Sequence, residues 1–133
     1  MKSDEQIIEE LRQASEELLM MSESDYPFEV VRWEEAAEIT PQLLRQKSGQ
    51  AADALVGVET IEDFFRAAVT EHEGQGAEVR RTAEKFRRLM QALATNLRDV
   101  RAYKVGDVNL PVYIVGRAPS GRWLGLSTRV VET

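Results

Sequence analysis

The stretch Val100-Arg101-Ala102-Tyr103-Lys104-Val105-Gly106-Asp107-Val108-Asn109-Leu110-Pro111-Val112-Tyr113-Ile114-Val115-Gly116 holds two strand-like runs, 100–105 and 108–116, parted by Gly106-Asp107. A third run, 123–131, begins at Trp123 after Pro119-Ser120-Gly121. Glycine beside aspartate tolerates the left-handed backbone of a tight hairpin, and a Pro-Ser-Gly cluster punctuates the chain in the same way. Two tight turns joining three runs specify an antiparallel meander.

Upstream of the meander, Val79, Ala83, Phe86, Met90, Leu93 and Leu97 alternate spacings of four and three residues, which predicts a long helix from Ala77 to about Arg98. Three heptads flanked by strands are better read as one side of a domain core than as a coiled-coil seam. Before it, Thr60-Ile61-Glu62-Asp63 starts a helix with Ile61, Phe64, Phe65 and Ala68 on one side. Thr40-Pro41 is an N-cap followed by proline at the first helical position, so a short helix runs from Pro41 to about Gln46. Residues 28–33 read as a strand, with Phe28 and Val30 facing one way and Val31 and Trp33 the other; 55–58 is a shorter strand candidate. Ser3-Asp4-Glu5-Gln6 is a capping box, and Ile7, Ile8, Leu11, Ala14, Leu18 and Leu19 extend an amphipathic helix over 4–20. Helices early and hairpin strands late predict an α+β fold, a mainly antiparallel sheet covered by helices, in one domain spanning 1–133.

Composition narrows the function. The chain has 133 residues, 43% hydrophobic and 30% charged, enough for one core. No apolar run approaches the ~20 residues of a membrane span, and the charged start differs from a secretory signal, so no membrane role and a cytoplasmic location are expected. Without cysteine there is no disulfide and no thiolate metal site; a single histidine, His72, cannot build a multi-histidine one. Residues 1–66 carry 16 acidic and 6 basic side chains, net −10, whereas 67–133 carry 7 and 11, net +4. The acidic half repels nucleic-acid phosphates and attracts basic protein surfaces. The basic helix side chains Arg80, Arg81, Lys85, Arg87 and Arg88 are interleaved with Glu78 and Glu84 and lack aromatic neighbours, which argues against direct nucleic-acid binding.

Catalytic motifs are missing. Gly74-Gln75-Gly76 lacks the preceding strand of a dinucleotide fingerprint, and no phosphate loop or nucleophile elbow is present. His72 between Glu71 and Glu73 is the one candidate base, more simply read as a solvated loop residue. Trp33 and Trp123 read as core or sheet-face residues. An enzyme is therefore disfavoured, and no cofactor is expected. Two features stand out instead. Met20-Met21-Ser22-Glu23-Ser24-Asp25-Tyr26-Pro27-Phe28-Glu29 is an acidic, hydroxyl-rich loop, and the last strand runs to Glu132-Thr133. A terminal strand sets the α-carboxylate at a defined place on the sheet rim, where its oxygens suit a hard cation such as Mg²⁺.

The run from Leu18 through Ser22-Glu23-Ser24-Asp25 to Val30 resembles the signature stretch of the nuclease A inhibitor (NuiA-like) family, bacterial inhibitors of sugar-non-specific nucleases. The similarity continues through Asp63-Phe64-Phe65, Lys85-Phe86, Asn96-Leu97, Val112-Tyr113 and Ser127-Thr128-Arg129-Val130-Val131-Glu132-Thr133, and covers nearly the whole chain. The resemblance implies an α/β/α sandwich and a protein partner, a DNA- and RNA-cleaving nuclease with a histidine base and one Mg²⁺ in a ββα-metal motif. It implies that Thr133 reaches the partner's metal through its carboxylate, that Glu23 contributes beside it, and that Ser22, Ser24, Asp25 and Glu132 line the contact. An aromatic interface residue of the family has no counterpart in the loop around His72. The alternative is an acidic interaction module of the same fold with a different, non-nuclease partner.

Overall fold

The computed structural model describes residues 2–34, 38–70, 74 and 76–132. His72 and Thr133 lie outside the described residues. Along the chain run α1 (Asp4–Ser15), β1 (Leu19–Met20), β2 (Tyr26–Pro27), β3 (Glu29–Trp33), α2 (Pro41–Ser48), β4 (Val56–Glu59), α3 (Ile61–Phe64), α4 (Arg66–Val69), α5 (Ala77–Asn96), β5 (Arg98–Val105), β6 (Asn109–Arg117) and β7 (Trp123–Val131).

The meander β5–β6–β7 forms as the turns predict and is the centre of a five-stranded antiparallel sheet ordered β3-β7-β6-β5-β4. Strand alternation divides its side chains between two cores. Ala102, Val112, Ile114, Leu124, Leu126 and Val130 face a helical layer built from Ile7 and Leu11 of α1, Phe64 and Phe65 around α3, and Phe86, Leu89 and Leu93 of α5. Val105, Val115, Trp33 and Trp123 pack on the other face beneath Leu44 of α2. Phe28 and Val30 join the first core and Val31 the second, as their alternation requires. Helices on both faces of the sheet make three layers, α/β/α. Both tryptophans are buried core residues.

The helix caps are the ones the sequence spells. The Ser3 hydroxyl accepts from Gln6 N–H at 3.2 Å, and Ser3 N–H donates to the Gln6 side chain at 2.9 Å. Thr40 and Thr60 accept from the backbone of Leu43 and Asp63, each at 3.1 Å. Gly49 closes α2 in the left-handed conformation at φ 71°, where a side chain would be strained.

Two expectations need correction. The first helix ends at Ser15 instead of 20: the Ser15 hydroxyl donates back to Leu11 C=O at 2.8 Å, and Leu18 N–H turns onto Ser15 C=O. Leu18 still reaches the core, but Leu19 and Met20 pair with Pro27 and Tyr26 as a two-residue ladder. The long helix keeps its expected start and stops at Asn96. Its buried side is Ala83, Phe86, Leu89, Ala92 and Leu93, with Val79 half exposed ahead of the core.

Candidate functional site

The sheet end where β5 stops and β6 begins is also where β7 ends. Asn109, the first residue of β6, stands opposite Val131. Strand β3 accompanies β7 only from Trp123 to Ser127. Beyond that point the free side of β7 is covered by the hairpin of β1 and β2 and by the acidic loop between them. Buried Thr128 donates its hydroxyl to Pro27 C=O at 2.9 Å. One step further, Val131 N–H donates to the Ser22 hydroxyl at 2.9 Å, and that hydroxyl donates onward to Ser24 C=O at 2.8 Å. Glu23 N–H closes the exchange on Val131 C=O at 3.4 Å. A serine side chain and one amide therefore act as the missing neighbouring strand for the last residue of β7.

On the opposite side, Glu132 N–H donates to Val108 C=O at 2.8 Å, so the chain is held from both flanks up to residue 132. The Glu132 carboxylate lies 2.8 Å from Lys104 Nζ, which also meets Glu59 at 3.2 Å and stands 5.7 Å over the Phe64 ring. Burial on its own pushes the Lys104 ammonium down, but its hydrogen bonds to Glu132 and Glu59 and their negative charge outweigh this and hold it above 10.5. Lys104 is thus a charged clamp at physiological pH.

Of the residues expected at the site, Ser22, Glu23, Ser24, Asp25 and Glu132 are all exposed; Ser22, Glu23, Ser24 and Glu132 gather around the end of β7, and Asp25 lines the hollow beside the loop. The expected role of Thr133 falls on a residue outside the described ones, as does that of His72. Lys104, Glu59 and Val108 organise the same corner and were not singled out by local patterns. Lys104 had a readable signal: it continues the alternation of buried Val100 and Ala102, so a cation stands in a core-facing register. A shallow hollow of about 200 Å³ lies beside the loop, lined in part by Leu19, Met21, Asp25, Thr82 and Lys85.

Chemically, the corner offers oxygen donors and negative charge on a rigid support. Among the described residues, no group of three or more His, Cys, Asp or Glu is placed to hold a metal ion, and no helix is long and apolar enough to cross a membrane. A family model described as nuclease A inhibitor-like protein matches residues 5–133. No curated protein matches the chain.

Proposed function

Because the chain belongs to the nuclease A inhibitor-like family, we propose that it is a stoichiometric inhibitor of a sugar-non-specific DNA/RNA nuclease of the ββα-metal class. In this reading the protein is not itself an enzyme. It presents the Thr133 carboxylate and the Glu23 side chain to the partner's active site in place of substrate phosphate oxygens. Ser22, Ser24, Asp25 and Glu132 shape the contact around them.

The observation that carries this reading is the exchange between residues 22–23 and Val131, which fastens the acidic loop to the strand leading into Thr133. A nuclease site holds a divalent cation and clamps phosphates with cationic groups, so it is electropositive. Carboxylate oxygens are suitable ligands for a hard cation such as Mg²⁺. Groups already held by hydrogen bonds lose less entropy on docking than those of a loose tail. The net charge of −10 over residues 1–66 speeds encounter with a basic cleft. A specific complex of this kind buries on the order of 800 Å² per partner.

The test is titration of the purified Mg²⁺-loaded nuclease from the same organism with this protein, reading DNA cleavage. Activity falls linearly to zero at one equivalent if the proposal holds. Full cleavage at molar excess rejects it. Residues appended after Thr133, or Glu23→Ala, weaken inhibition without lowering the melting temperature; equal inhibition by both variants refutes the carboxylate mechanism while leaving inhibition itself intact.

A further inference from the structure

The corner that gathers the acidic residues also exposes apolar side chains that the sheet cores do not use. Met21 is 60% exposed, Leu55 70% and Val108 46%. They are far apart in sequence, but one string of backbone contacts joins them. Met21 precedes Ser22, whose hydroxyl receives Val131 N–H; Glu132 N–H donates to Val108 C=O; and Gly106 N–H donates to Leu55 C=O at 2.8 Å across the same turn. All three therefore lie on the single rim where β4 begins, β5 ends, β6 begins and β7 ends. Adjacent strands are about 4.8 Å apart, so the rim from the loop beside β7 to β4, four such steps, spans roughly 19 Å. A contact of about 800 Å² per partner covers that width with room to spare.

Loop tips normally carry Gly, Asn, Asp, Ser or Pro, and Gly106-Asp107 follows that habit. Three large apolar residues at three adjoining tips do not. Neither core uses them, and gathered on one rim beside the acidic loop they form an apolar surface of the kind a partner covers. The acids between them say which kind. Glu23, Asp107 and Glu132 are exposed on the same rim. A second copy or an anionic lipid surface would bring like charge against them, whereas a basic cleft with apolar shoulders matches both components.

We infer that Met21, Leu55 and Val108 are the apolar anchors of the nuclease-docking surface, seated on uncharged shoulders flanking the partner's cationic cleft. This rests on the inhibitor reading and adds a division of labour to it. The acids govern approach and register; the anchors govern how long the complex lasts, because packed apolar contacts act mainly on dissociation.

Met21→Ser, Leu55→Ser and Val108→Ser, singly and combined, test this against the Mg²⁺-loaded nuclease of the same organism by surface plasmon resonance. Each single change raises the dissociation rate by about tenfold and leaves the association rate within about threefold. Glu23→Gln does the reverse at low salt, slowing association. A triple variant that dissociates within about twofold of a parent that does inhibit overturns the anchor assignment and spares the inhibitor reading. A parent that neither binds nor inhibits overturns both. A parent that sediments as a dimer, and is returned to monomer by the three substitutions, assigns the rim to self-association and likewise overturns the proposal. The single variants keep the test open should the triple variant fail to fold.

Discussion

Ser22→Ala removes one oxygen and with it both hydrogen bonds of the relay, from Val131 N–H at 2.9 Å and to Ser24 C=O at 2.8 Å. Each such bond contributes roughly 0.5–1.5 kcal/mol net. Both are exposed, so water replaces part of the loss and the sum falls near the low end, about 1 kcal/mol. At room temperature that is about a five-fold change in the local opening equilibrium. The assay is amide hydrogen exchange of the free protein by NMR. Val131 N–H exchanges about five-fold faster in Ser22→Ala, while amides of the central β6–β7 ladder keep their parental rates. Ser22→Thr restores the hydroxyl and the slow exchange. Through the ordering of the strand alone, inhibition weakens by about the same factor, because affinity scales with the fraction of molecules in the competent state. Unchanged exchange at Val131 in Ser22→Ala would show that the hydroxyl does not hold the terminal strand, and the preorganisation argument would fail with it.

Gly125→Ala places a Cβ 1.8 Å from the Ile114 carbonyl oxygen in the middle of the sheet, so urea unfolding shows a loss of about 3 kcal/mol or more, or no folded protein; a parental midpoint would refute the close approach. Asp4 is a buried carboxylate that accepts from the Ser120 hydroxyl at 2.7 Å and from Arg122 at 3.2 Å, which ties α1 to the β6–β7 turn. Asp4→Ala leaves the hydroxyl without its acceptor and costs about 1–3 kcal/mol in the same assay, with inhibition unchanged per folded molecule. Stability falls on the alkaline side. Burial raises the Tyr103 and Tyr113 phenols above 10.0, and the Lys104 ammonium is held above 10.5 by its carboxylates against the opposing effect of burial. Raised folded-state values favour the protonated forms, so their contribution is complete below about pH 10 and is lost as pH climbs through the folded values. The urea midpoint is accordingly flat in this respect from pH 7 to 9 and drops above about pH 10, less steeply in Tyr103→Phe/Tyr113→Phe.

The meander was legible because strand alternation and turn chemistry are local signals, and Val31 and Trp33 face away from Phe28 and Val30 for the same reason. Ser3, Thr40 and Thr60 cap their helices because a capping hydroxyl needs only the next few residues. What failed was decided by distant partners. Leu18, Leu19 and Met20 are apolar at spacings that suit a helix, yet pairing with residues 26–27 draws the last two into a strand. Val79 fits the helical repeat of α5 but is half exposed, while Leu89 and Ala92, outside that repeat, are buried. At the candidate site, the acidic loop and the terminal strand were visible separately. Their junction links Ser22 to Val131, 109 residues apart, and no local pattern encodes it. The Lys104 clamp was half visible, since a lysine in a core-facing register signals a special environment without naming Glu59 and Glu132 as its partners.

A paramagnetic ion placed where substrate would bind reads the docking of the chain end at the partner's metal. With the partner nuclease carrying Mn²⁺ in place of Mg²⁺, NMR spectra of the isotope-labelled inhibitor in complex report distance from that metal. Signals of Thr133, Glu132 and Glu23 are then broadened most strongly, with the effect fading along β7 toward Trp123. Sharp signals at Thr133 and Glu23, with broadening centred on another face such as α2, would contradict that docking.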